Sequence, residues 1–192
     1  METVRAFFAV ALCESARAAA ASVIDALRER DRKHGVRFVR QESLHVTLRF
    51  LGDVPVARLG ELVAAVTKEV APLPAFALSL GSLVGFPTAR RPRVLALEVS
   101  PAEALVQAAA AVERGVVAVG FPPEDRPFRA HLTLGRVKGA PPDLAGVVTP
   151  PHEPSAVDAV VLLQSELSSD GARYTPLERV PLGGPVPSEP RL

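Results

Sequence analysis

From Arg5 to Leu12 the chain is an almost unbroken apolar run, RAFFAVAL, which predicts a buried strand. Ala20, Val23, Ile24 and Leu27 then recur at helical spacing with charged residues among them, which predicts an amphipathic helix. The stretch LHVTLRF from Leu44 to Phe50 instead alternates with a period of two. On such a strand His45, Thr47 and Arg49 share one face, and Leu44, Val46, Leu48 and Phe50 the other. A further helix is predicted from near Pro55, with Leu59, Leu62, Val63, Val66 and Val70 on one side, and a strand over Phe76–Phe86.

The same order of patterns then returns. Arg93 to Val99 is a second arginine-led apolar run, followed by a helical stripe of Leu105, Val106, Ala109, Val112 and Val116. Its opening, SPAE, reads as a capping box with Ser100 as N-cap, Pro101 in the first turn and Glu103 closing it. The strand AHLTLGRV follows, with His131 and Thr133 on one face and Leu132 and Leu134 behind. Arg5 to Arg93 and His45 to His131 span nearly equal lengths, as a duplicated strand–helix–strand unit requires. Two further strands are expected over 156–167 and 173–182, with Asp170-Gly171 as a hairpin signal between them. The expected fold is α+β and bilobal: two antiparallel sheets flank a central cleft, with helices outside. A single domain over 1–182 and a flexible tail over 183–192 complete the expectation.

Composition narrows the function. The 192 residues are 48% hydrophobic and 22% charged, enough for a real core. A net charge of +1 excludes a broadly basic nucleic-acid coat, so anion binding must be local. Arginines gather beside the first motif (Arg37, Arg40, Arg49), beside the second (Arg126, Arg129, Arg136), and at Arg90, Arg91 and Arg93. Cys13 is the one cysteine, which fits a reducing compartment and a packing role. The first 22 residues have some features of a signal peptide. Glu2, the brevity of the apolar run and its recurrence in mid-chain favour a strand instead. With no run long enough to span a membrane, a cytoplasmic protein is expected.

Two histidines that face one phosphorus centre can serve as acid and base in an in-line displacement. A threonine beside each can donate to the non-bridging oxygens as charge builds up, and an arginine can hold the phosphate. Metal ligation would need further His, Cys, Asp or Glu ligands, which the motif strands lack; Glu42 and Asp53 lie just outside the first. Asp53, after a Leu-Gly turn, is expected to make loop hydrogen bonds, and His34 and His152 to be solvated.

The stretches RAFFAVAL, VRFVRQESLHVTLRFLGDV, FPTARRPRVLALEV, FRAHLTLGRVK and LLQSELSSDGARYTPLERVPL resemble, in order, the RNA 2′,3′-cyclic phosphodiesterases. These are LigT-like members of the two-histidine (2H) phosphoesterase superfamily. The resemblance implies a catalytic tetrad of His45, Thr47, His131 and Thr133. The reaction it implies opens a terminal 2′,3′-cyclic phosphate on RNA to a 2′-phosphate, with reversible 2′–5′ ligation as a related activity. His45 would be the proton donor and His131 the proton acceptor. Thr47, Thr133 and Arg136 would bind phosphate, and Phe38 and Arg49 substrate. It also implies no metal or other cofactor, RNA ends such as tRNA halves as partners, and a monomer. Phe38 stands where the family commonly has tryptophan, and Arg40 where proline is frequent. Simple alternation puts Arg136 opposite His131, so either the strand twists or bulges at Gly135 or Arg136 is structural. The alternatives are a phosphodiesterase for a small cyclic nucleotide and a non-catalytic module that binds RNA ends.

Overall fold

The structure is a computed structural model that describes residues 2–88, 90–168 and 171–183. Its elements run β1 (Thr3–Ala11), α1 (Glu14–Arg30), β2 (Val36–Phe38), β3 (His45–Pro55), α2 (Leu59–Val70), β4 (Phe76–Phe86), β5 (Val94–Ser100), α3 (Ala102–Ala118), β6 (His131–Val137), β7 (Ser155–Val157), β8 (Ala159–Ser168) and β9 (Gly171–Pro181). Two antiparallel sheets result, with strand orders β3-β1-β8-β9 and β2-β6-β5-β4-β7. This is the expected α+β class. Among the described residues no helix is long and apolar enough to cross a membrane.

The repeat has a structural counterpart. In each half the histidine strand pairs antiparallel with the strand that opens that half: β1 with β3, and β5 with β6. The registers place Ala11 opposite His45 and Glu98 opposite His131. The helices between them are exchanged. Helix α1 lies against β4 of the second sheet, whereas α3 lies against β3 of the first and against α2. Two bonds anchor the start of α1 to the second half: the Ser155 hydroxyl accepts from the Cys13 N–H, and the Ser15 hydroxyl from the Glu153 N–H (each 3.0 Å). Cys13 itself is the N-cap of α1, its sulfur accepting from the Ala16 N–H, in keeping with a packing role.

One continuous apolar core joins the halves. It includes Phe8 and Val46 from the first sheet, Leu97 and Leu132 from the second, and Ile24, Leu62 and Val112 from the helices. The α2–α3 contact is close because Gly115 has no side chain. A Cβ there would lie 2.7 Å from the Val66 Cα, against backbone that cannot rotate aside.

Several local expectations are corrected. Ser100 remains in β5, paired with Ser79, and Pro101 takes the N-cap position of α3 with no side-chain bond, so the capping box does not form. The strand expected over 156–167 is two strands broken at Asp158. There the chain passes from the second sheet to the first, and Asp158 pairs with Arg179 at 2.7 Å. Asp53 sits within β3 opposite Arg5 rather than in a loop, because β3 continues through Gly52, a left-handed residue with φ of 72°. His152 is not solvated but fixes a loop to the second sheet. Its Nδ1 donates to the Pro150 carbonyl and its Nε2 accepts from the Leu80 N–H at 2.9 Å. His34 is exposed, as expected. Residues 169–170 of the expected hairpin, and 184–192 of the expected tail, lie outside the described residues.

Candidate active site

The two motif strands approach each other across the gap between the sheets. A cavity of about 150 Å³ there is walled by His45 and Thr47 from β3 and by Thr133 and Arg136 from β6. Phe7, Phe50, Ser165 and Tyr174 close it from other parts of the first sheet. His131 stands one alternation before Thr133, on the same face of β6, outside the walls of this cavity. Its ring meets the Phe86 ring edge-on at 5.4 Å. Phe86 and Arg129 border a neighbouring hollow of about 490 Å³. The Arg129 guanidinium lies 4.3 Å above the Phe86 ring.

Both histidines are oriented by the same device. The His45 Nδ1 lies 2.7 Å from the carbonyl oxygen of Ser43, and the His131 Nδ1 lies 2.7 Å from that of Arg129. A carbonyl only accepts, so each Nδ1 carries a hydrogen and each Nε2 bears the lone pair of the neutral ring. The His45 Nε2 is 3.0 Å from the Thr47 hydroxyl, which donates to it when the ring is neutral.

The surroundings of His45 are apolar. Phe7 lies 4.8 Å from its ring and Tyr174 meets it edge-on at 4.9 Å. Burial in this cage lowers the His45 pKa below its ordinary value of 6.5, against a smaller raising effect from the bond to Ser43. Tyr174 is shifted upward by burial, and the nearby Arg136 and Arg5 oppose that shift.

A bulge in each motif strand decides which side chains reach the cavity. In β3, Phe8 faces Arg49 and Ala9 faces Thr47, which leaves Leu48 as the extra residue. In β6, Leu95 faces Gly135 and Ala96 faces Thr133, which leaves Leu134 extra. Each bulge resets the alternation. Arg136 therefore joins Thr133 at the cavity; the strand does bulge, at Leu134 rather than at Gly135.

The same reset overturns the expectation for Arg49 and Phe50. Phe50 enters the cavity, and Arg49 turns away to α3. The Arg49 Nε pairs with Glu113 at 2.5 Å and its Nη1 with Glu124 at 3.1 Å, and Nη2 donates to the Pro122 carbonyl. With its side chain only 10% exposed, Arg49 ties the edge strand to the loop after α3 and does not line the cavity. At the equivalent place in β6 stands Gly135, where a Cβ would come within 2.8 Å of the Val36 side chain on the neighbouring strand β2. The edge position of β3 leaves room for arginine; the interior position of β6 does not.

Phe38 is placed beside, not in, the cavity, and the Arg28 guanidinium lies 5.5 Å over its ring. Phe7, Ser165 and Tyr174 were not singled out from the sequence. For Tyr174 a signal existed: it is the chain's one tyrosine, on a strand of alternating pattern.

Comparison with known proteins agrees with this geometry. The 2′-5′ RNA ligase superfamily matches residues 15–168. An RNA 2′,3′-cyclic phosphodiesterase of Methanothermobacter thermautotrophicus is 35% identical over 181 residues, covering 91% of this chain and 97% of that protein. A protein of the same name from Thermus thermophilus is 34% identical, covering 94% of this chain and 91% of its own. Among solved structures, a Thermus thermophilus protein superposes with a TM-score of 0.78 at 31% identity, covering 94% of this chain and 98% of its own. LigT of E. coli in its apo form gives 0.73 at 27% identity, covering 95% and 99%. With its two histidine strands facing one cleft, the chain belongs to the 2′-5′ RNA ligase superfamily, as a LigT-like two-histidine phosphoesterase.

Proposed function

We propose that the protein hydrolyses the terminal 2′,3′-cyclic phosphate of RNA to a 2′-phosphate by acid–base catalysis between His45 and His131. The observation that carries this reading is the matched anchoring of the two rings, each Nδ1 held by a backbone carbonyl and each Nε2 left to exchange a proton. The names of the relatives supply the substrate class.

In the proposed reaction the His131 Nε2 takes a proton from water as its oxygen attacks phosphorus. The bond from phosphorus to the 3′-oxygen breaks, and the protonated His45 Nε2 gives that oxygen its proton. Thr47 and Thr133 donate to the non-bridging oxygens, and Arg136 balances the charge that grows on them. In the resting site the Thr47 hydroxyl bonds to His45. Once phosphate is bound and His45 is protonated, that hydroxyl hydrogen turns to the phosphate. With a ribose hydroxyl in place of water, the same pair would carry 2′–5′ strand joining.

The residue types support a metal-independent route, since no group of three or more His, Cys, Asp and Glu gathers among the described residues. We place the protein in the cytoplasm as a monomer, the single cysteine fitting a reducing compartment.

The test is incubation of the purified protein with an oligonucleotide that ends in a 2′,3′-cyclic phosphate. Conversion to the 2′-phosphate is expected. A 3′-phosphate product, or no turnover, overturns the assignment.

A further inference from the structure

We propose that a groove adjoining the catalytic cavity binds the phosphodiester backbone of the strand whose end is being opened, so that the substrate is an oligonucleotide rather than a free cyclic nucleotide. This rests on the phosphodiesterase reading above. The groove, of about 380 Å³, shares Phe50, Arg136 and Tyr174 with the cavity and is lined as well by Phe38, Arg5, Arg37 and Arg40. Four of its lining residues are thus arginines, and none is a carboxylate.

On a chain of net charge +1, this is a local segregation of charge. Some arginines elsewhere sit beside acids, as Arg28 does with Asp25, Arg49 with Glu113 and Arg114 with Glu69; what sets the groove apart is that four arginines share one lining that holds no acid. Arg5, Arg37 and Arg136 have no carboxylate within 4.0 Å among the described residues, whereas Arg40 is held by Glu42 and by the Ala172 carbonyl. Arg5 lies 4.9 Å over the Phe50 ring, so its charge is presented at the junction of groove and cavity.

The chemistry of the substrate fixes what these cations can meet. The reacting phosphorus is at the 3′ end, so any other phosphate of the strand lies on its 5′ side. Thr47, Thr133 and Arg136 suffice for the reacting group. Arg5 and Arg37 have a partner only when a second phosphate is present, and a cyclic mononucleotide has none. Phe50, 41% exposed, and the half-buried Phe38 add aromatic surface beside the cations, which suits single-stranded RNA.

The test compares 2′,3′-cyclic CMP with a pentanucleotide that ends in the same cyclic nucleoside. For the wild type, kcat/KM is expected to be roughly tenfold or more higher for the pentamer. Its logarithm should fall more steeply with the logarithm of salt, by about 0.7 for each additional phosphate bound. In Arg5→Gln/Arg37→Gln the ratio of the two kcat/KM values should drop towards one. The wild-type salt slopes give the answer without a variant, should the double variant fold poorly. Equal kcat/KM and equal salt slopes for the two substrates, or a ratio unchanged in the variant, overturn the groove proposal alone. Failure of the wild type to hydrolyse either substrate overturns the phosphodiesterase reading instead.

Discussion

Phe50 and Arg136 occupy the same place in the two motif strands, three residues beyond the threonine, and both wall the cavity. Neither belongs there by simple alternation. Each is brought in by a one-residue bulge at the preceding leucine, Leu48 in β3 and Leu134 in β6. The two sheets thus offer matched histidines and threonines but unlike third residues, an aromatic ring from one side and a guanidinium from the other. The histidine–threonine pair is repeated in the two strands, but the residue three beyond the threonine is not.

Replacing His45 or His131 by alanine should each lower turnover by about 10²–10⁴-fold, since in the proposed reaction each supplies one of two proton transfers. Circular dichroism should show the fold intact for both, because both residues are partly exposed and His45 lines the cavity. A variant with near-normal turnover removes that histidine from the mechanism.

The pH dependence should separate the two roles. Burial lowers the His45 pKa in the free protein, so the alkaline limb of kcat/KM, which reports the free acid, should fall below the ordinary imidazole value of 6.5. Bound phosphate favours the imidazolium, so the alkaline limb of kcat should lie at higher pH. A kcat/KM limb at or above 6.5 would mean that the cage around His45 does not tune the acid, and coincident limbs that bound phosphate does not. His45→Ala should lose the alkaline limb and His131→Ala the acidic one; the reverse outcome exchanges their roles.

The same burial has a consequence for stability. A histidine whose folded pKa is depressed binds its proton more readily in the unfolded chain. Stability should therefore decline as pH falls below about 6.5 towards the folded value. Thermal melts between pH 5 and 7 should show a shallower decline for His45→Asn than for the wild type. Equal slopes would show that His45 is not the group responsible.

Exhaustive treatment with EDTA should leave turnover unchanged. Loss of activity that a divalent ion restores would overturn the metal-independent mechanism and turn attention to Glu42 and Asp53.

Arg49→Met should destabilise the protein while leaving KM within about twofold. Its own side chain is 10% exposed and its bond to Glu113 is half-buried, while those to Glu124 and the Pro122 carbonyl lie at the surface. Losing them should cost about 1.5–3 kcal/mol, or roughly 3–12 °C in Tm for a chain of this size. A raised KM with unchanged Tm would return Arg49 to the substrate.

The repeat, the strands, the helices and the histidine–threonine pairs were legible because each rests on local periodicity. Leu44, Val46 and Leu48 declare their buried face within three alternations, and Ala20, Val23, Ile24 and Leu27 declare a helix. Bulges are another matter. They depend on pairing with a neighbouring strand, which no pattern along one strand reports, so Arg49 and Phe50 exchanged faces. The capping box at Ser100 failed for a similar reason, because pairing with Ser79 kept Ser100 in its strand. Ser165 and Tyr174 come from β8 and β9, whose place in the cleft depends on the sheet crossing at Asp158. His152 looked solvated because its partner, the Leu80 N–H, is remote in sequence.

The exchange of α1 and α3 between the sheets gives the molecule the geometry of a domain-swapped dimer whose two subunits share one polypeptide. In a true homodimer the two positions beyond the threonines would be encoded once, and both would be phenylalanine or both arginine. Joining the subunits end to end lets each be chosen separately. A chain cut between the halves would strand each helix from the sheet it covers, so neither fragment is a smaller working enzyme; only the reassembled pair restores the cleft.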